Sequence, residues 1–148
     1  MRRTNAISLT MLTVVLWSNS AAAHHSFAPV YDGNREITVT GVVTQFKFVN
    51  PHAMMLMDVT DESGKVVKWT VEFAGSLNLS EVGWTADSIK AKERVTVTGN
   101  PTHTGSHGMF FRKLVRSDGT ELLNSGLQRT KDIEEERLQR QRARAQQK

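Results

Sequence analysis

The chain has 148 residues, 19 Lys/Arg against 15 Asp/Glu, and a formal charge of +4. It contains no cysteine, which excludes disulfides, thiolate zinc sites, thioether haem attachment and thiol catalysis, so that any metal must be held by His, Met, carboxylate or α-amine. The positive charge is not a basic face: residues 24–128 hold ten basic and eleven acidic side chains, residues 129–148 seven and four, which excludes a strongly basic nucleic-acid domain.

The N-terminus has the three zones of a secretory signal. Arg2 and Arg3 are the basic zone, Ile7 to Trp17 is mostly apolar and uncharged, and Ala21, Ala22 and Ala23 offer a small-residue cleavage site. The apolar stretch is shorter than the about 20 residues of a membrane span. Residues 1–23 are therefore expected to be a cleaved signal peptide by the general secretory route, which makes the protein periplasmic or secreted, with no membrane anchor after cleavage. A cut after Ala23 leaves His24 first; a cut after Ala22 leaves Ala23, His24 and His25.

Residues 24–35, with Pro29 and Asp32-Gly33, read as an irregular arm ending in a turn. From Glu36 to Val49 the chain alternates, with Ile37, Val39, Gly41 and Val43 on one face and Thr38, Thr40, Val42 and Thr44 on the other. This predicts a long strand with a bulge or coil at Gly41. Asn50-Pro51-His52 breaks it. Ala53 to Val59 and Val67 to Phe73 alternate again and form a hairpin through Asp61-Glu62-Ser63-Gly64. Ser76 is expected to cap a short helix over Leu77 to Val82 that stops at Gly83, with another helical turn over Thr85 to Ala91. Arg94 to Gly99 is a fourth strand, Asn100 to Gly108 a polar loop, Met109 to Val115 a fifth strand, and Thr120 to Leu123 a short sixth.

The tail from Thr130, its expected N-cap, runs from acids (Asp132, Glu134–Glu136) to bases (Arg137, Arg140, Arg142, Arg144), the order a helix dipole favours. Only Ile133 and Leu138 are large and apolar, so it reads as a solvated helix or disorder. The predicted architecture is all-β with one short helix: an OB-like five-stranded barrel over 24–128 and a charged tail over 129–148. The order of three strands, short helix and two strands fits that barrel, and an open β-sandwich is the alternative.

The motifs His24-His25-Ser26-Phe27, Tyr31-Asp32, Gly41-Val42-Val43, Asn50-Pro51-His52, Asp61-Glu62-Ser63-Gly64, Trp69-Thr70-Val71-Glu72, Gly83-Trp84-Thr85 and Val95-Thr96-Val97-Thr98-Gly99 together resemble a family of small secreted proteobacterial proteins of unknown function. The resemblance spans about residues 24–123. It implies a secreted location and brings no activity and no site.

Candidate sites follow from ligand chemistry. A free α-amine has a pKa of about 7.7–8.0 and deprotonates cheaply. With His24 first, its amine and imidazole can chelate one metal, and His25, His52, His103 or His107 can add a second imidazole, a nitrogen set that suits Cu(II). With Ala23 first, His25 stands third, in the amino-terminal Cu(II) and Ni(II) chelate. Either start also binds copper incidentally. His52 reads either as a ligand at the barrel rim or as a corner residue bonding a carbonyl; Asn50 and Pro51 read as the corner itself, with Asn50 a candidate for the ligand rim. Met54, Met55 and Met57 with His52 and Trp69 resemble the periplasmic copper/silver chaperones of metal efflux systems, but alternation buries Met55 and Met57 as core and leaves only Met54 on the face of His52. His103 and His107 lie on a Gly- and Pro-containing loop, where their spacing has no helical meaning, and are rim candidates. Trp69 is expected in the core, Trp84 as a staple between helix and barrel, and Glu72 as an outward, lone carboxylate. Phe46 and Phe48 could stack on bases, an oligonucleotide reading that export and neutrality oppose.

These readings converge on a non-enzymatic periplasmic binding or accessory module, a monomer serving an unknown periplasmic protein or small ligand and no nucleic acid. The alternative is a Cu(II)-binding protein with copper held by His24, His25 and His52.

Overall fold

A computed structural model describes residues 27–146. The expected signal segment, both candidate cut positions, His24 and His25 lie outside the described residues.

The arm is more regular than its composition suggests: Phe27–Val30 forms a helical turn, α1, closed by Tyr31 N–H donating to the Phe27 carbonyl over 2.9 Å. Strand β1 (Ile37–Lys47) then follows the expected alternation. Its first half pairs with β4 (Arg94–Pro101) and its second half with β2 (Met54–Thr60), so one strand serves both halves of the barrel. Gly41 is required for a different reason from the one expected. A Cβ there would stand 2.4 Å from the Asp58 carbonyl oxygen and 2.7 Å from Met57 Cε, so the glycine permits close approach of two backbones. The bulge itself falls between Val43 and Gln45. It shifts the register by one, so that Phe46 and not Gln45 turns toward the core.

Strands β2 and β3 (Val66–Glu72) form the expected hairpin. Asp61 sets its turn by accepting from Ser63 Oγ and from the Ser63 and Lys65 amides. These bonds, the Ser63 hydroxyl first, hold its carboxyl below the ordinary range. Next comes α2 (Ser76–Ser80), without a cap from the Ser76 side chain: Gly75 takes the N-cap position, and the Leu77 amide donates to Asn50 Oδ1 over 3.4 Å. Residues 85–91 make turns in place of the expected helical turn, burying Ile89.

Strand β4 extends to Pro101, two residues into the expected polar loop, because Asn100 is needed inside: its Nδ2 donates to the carbonyls of Arg35 (2.7 Å) and Asp32 (3.3 Å). Strands β5 (Gly108–Arg116) and β6 (Glu121–Leu123) follow, and the sheet order is β3-β2-β1-β4-β5-β6. Parallel pairing of Thr70, Val71 and Glu72 with Gly108, Met109 and Phe110 joins β3 to β5 and closes a five-stranded barrel of OB type. Closure removes free edges between its first and last strands.

The core is built from the inward positions of all five strands, including Met55 and Met57 as expected. Phe73 stacks on Phe111 at 4.2 Å between centroids, and Trp84 meets both edge-on. Trp84 Nε1 donates to the Leu123 carbonyl, which ties the segment after α2 to β6. Such aromatic pairs add about 0.5–1.5 kcal/mol beyond the area they bury. Phe46 packs on Phe73 with Phe48 beside it, so both half-buried rings lean against the core.

The tail is a 22-residue helix, α3 (Ser125–Gln146), with no buried residue. It starts five positions before the expected cap. Asn124 is the N-cap, its Oδ1 accepting from the Leu127 amide at 2.8 Å, whereas Thr130 lies inside the helix and donates to the Gly126 carbonyl. Among the described residues no helix is long and apolar enough to cross a membrane.

Candidate functional site

The outer face of β2–β3, bordered by the loops 48–53 and 102–107, is where barrels of this type present ligand-binding groups. The first loop is fixed from below. Ala53 exchanges backbone bonds with Phe73 and Ala74. Gly75 lets the Asn50-Pro51 corner pack directly on it, since a Cβ there would lie 2.6 Å from both Asn50 Oδ1 and the Pro51 carbonyl. Asn50 therefore serves the corner and α2.

This packing carries His52 to the end of β3. Its Nδ1 bonds the Phe73 carbonyl at 3.3 Å and lies 2.9 Å from Glu72 Oε1. Glu72 points outward as expected, but it is not alone. Its second oxygen, Oε2, accepts from the Tyr31 hydroxyl at 2.7 Å. Tyr31 is buried, at 8% exposure. Burial first, then the bond to Glu72 and the charge of Glu72, push its hydroxyl well above the ordinary phenol range, so it stays neutral and donates.

The strand register sets the flanks of this cluster: Met54 lies opposite Glu72 on one side and Phe110 on the other. Phe110 packs against Phe27 and Tyr31, with centroids 5.2 and 5.6 Å away, and so seats the arm on the β3–β5 seam. Tyr31 escapes sequence reasoning because its partner lies 41 residues on; its only signal was membership of the Tyr31-Asp32 motif.

The other rim candidates have separate duties. The His103 side chain donates from Nε2 to the Ala28 carbonyl at 3.0 Å, and its amide to that of Val30, so it anchors the arm. His107 lies over Trp69, ring centroids 5.3 Å apart, and its carbonyl accepts from the Thr70 amide. Trp69 is accordingly half-buried at the edge of the core and not wholly inside. Together Trp69 and His107 end a groove of about 570 Å³ that runs past Val39, Gly41 and Val67 and carries Asp58, Glu62 and Arg94. His52, His103 and His107 thus do not converge, and among the described residues no three His, Asp or Glu side chains are placed to hold a metal ion.

No curated protein matches the chain. Among solved structures it is similar to the mitochondrial single-stranded DNA binding protein Rim1 from S. cerevisiae, at 9% identity over 61% of this chain and 96% of that one, with a TM-score of 0.37. The model of the family of unknown function DUF6152 matches residues 12–111, which include the whole of the Tyr31–Glu72–His52 cluster, and the chain belongs to that family.

Proposed function

We propose that the protein is an exported, non-enzymatic binding or accessory module, active in the periplasm or outside the cell as a monomer, whose working surface is the outer face of β2–β3 around His52. The observation that carries this reading is the engagement of both Glu72 oxygens, one by Tyr31 and one beside His52. A carboxylate held on both sides orients the groups it touches. It thus supports a surface built to present His52 to a ligand. The test places a photo-crosslinking residue at Thr70, on this face, or at Gln139 on α3, in cells that export the protein. A discrete adduct from Thr70 that disappears with Leu56→Asp, and none from Gln139, is expected; the same products from both positions would overturn the reading.

A second reading, copper binding, is favoured by one observation. Nδ1 of His52 faces two acceptors, which leaves Nε2 as the ligating atom, and Phe27, two positions after His25 in the chain, packs on Phe110 beside this cluster. Two residues span at most about 7 Å. His52 and the amino-terminal histidines together form a nitrogen set suited to Cu(II). Calorimetric titration of the processed protein, its N-terminus sequenced, is expected to show one Cu(II) bound in competition with glycine and lost with His24→Ala. Binding no tighter than that of an unrelated His-His peptide would sink this reading.

A further inference from the structure

We infer that Tyr31 and Glu72 are positioning residues that, with the Phe73 carbonyl, hold His52 in one tautomer with Nε2 presented as a coordinating atom, and that the arm and His52 are coupled through the single Glu72 carboxylate. The inference deepens the copper reading and rests on it only for the identity of the ligand.

The argument begins with Nδ1. The Phe73 carbonyl at 3.3 Å can only accept, and so can the ionised carboxylate at 2.9 Å. A lone pair on Nδ1 would face two oxygens, so the ring must carry its hydrogen there. In the neutral ring Nε2 then carries the lone pair, and among the described residues no partner meets it. This is the arrangement of metal-ligating histidines, whose second nitrogen donates to a carbonyl or carboxylate that fixes the ring and raises its basicity.

Glu72 in turn needs an anchor. It sits at the last position of β3, where its register neighbours Met54 and Phe110 offer no polar partner. The Tyr31 hydroxyl supplies one at 2.7 Å. Tyr31 is itself held by its bridge to Thr102 and by the contacts of its ring with Phe27 and Phe110. Whatever lifts the arm from the β3–β5 seam withdraws the donor from Glu72 and loosens His52.

The experiment is nitrogen-detected NMR of the histidine side chains in the metal-free processed protein, wild type and with Tyr31→Phe or Glu72→Gln, each checked for intact fold by its amide spectrum. Wild-type His52 is expected as the Nδ1–H form, and both variants as a mixture with Nε2–H. An Nε2–H form in the wild type overturns the inference, as do His52 nitrogen shifts identical in all three proteins. The same samples titrated with Cu(II) separate the two ideas. Affinity falling about 10–100-fold in both variants, at unchanged one-to-one stoichiometry, is expected from loss of an outer partner of a ligating histidine. Wild-type affinity in both variants beside complete loss in His52→Ala overturns the coupling. Absence of tight copper binding in the wild type defeats the copper reading, while the tautomer measurement still decides this one.

Discussion

The hydroxyl of Tyr31 donates to Glu72 Oε2 over 2.7 Å, joining residues 41 positions apart across the seam that closes the barrel. Tyr31 is the only tyrosine in the chain, so its ionisation can be followed by ultraviolet absorbance without overlap. Its folded-state pKa lies above the unfolded value of about 10. The unfolded chain therefore binds fewer protons at high pH, and this stabilisation, complete below about pH 10, is lost as pH rises above it. Tyrosinate is expected to appear only with unfolding, and Tyr31→Phe to flatten the alkaline decline in stability. At neutral pH, Tyr31→Phe is expected to cost about 1.5–3 kcal/mol, as for a hydrogen bond to a charged group, checked by urea unfolding.

Gly41→Ala tests the close approach of β1 to β2. The new Cβ would meet the Asp58 carbonyl, Met57 Cε and Val59 Cγ2 all within 3 Å, and the first of these is backbone that cannot swing away. Overpacking of this kind costs about 1–3 kcal/mol. Thermal unfolding of Gly41→Ala is expected to show a loss in that range, and of Gly41→Val a larger one; a neutral Gly41→Ala would show that the strands separate without penalty.

Asn100 is the buried polar side chain that holds the arm through the carbonyls of Asp32 and Arg35. Asn100→Ala leaves both acceptors without this donor and is expected to cost about 1–3 kcal/mol. Hydrogen exchange should localise the effect. The Tyr31 and Asp32 amides, bonded to Phe27 and Pro101, should exchange faster, while those of the β2–β3 hairpin change little.

Removing the chain after Thr130 discards most of α3, none of which is buried. The ion pair of Arg129 with Glu81 and the cap at Asn124 stay. Surface changes of this kind stay within about 0.5 kcal/mol, so the melting temperature is expected to be nearly unchanged. A large fall would mean that α3 packs against a surface in solution.

Strand positions, the hairpin turn, the buried methionines and the role of Trp84 were readable because each rests on local rules: alternation at period two, turn residues between apolar runs, and a glycine after a short helix. Caps were misassigned for the complementary reason. Ser76 and Thr130 have the right chemistry for capping, but the oxygens that take those bonds belong to Asn50, brought in from another loop, and to Asn124, several positions earlier. The bulge in β1 was expected at Gly41, where backbone freedom is greatest, yet it falls at the residues where the strand changes partner from β4 to β2.

By itself the sequence determined an all-β, cysteine-free barrel domain with a polar tail, because burial periodicity, turn chemistry and composition act within a few residues. Only the tertiary structure decided what its polar groups do. Glu72 read as a lone carboxylate, and His52, His103 and His107 as interchangeable imidazoles, until the parallel pairing of β3 with β5 closed the barrel and laid the arm across the seam. Closure places Tyr31, Glu72 and His52 within hydrogen-bond or ion-pair distance and sends His103 to the arm and His107 to Trp69. Such partnerships depend on contacts between positions far apart in the chain, and these are fixed by strand order and register and not by any spacing a sequence displays.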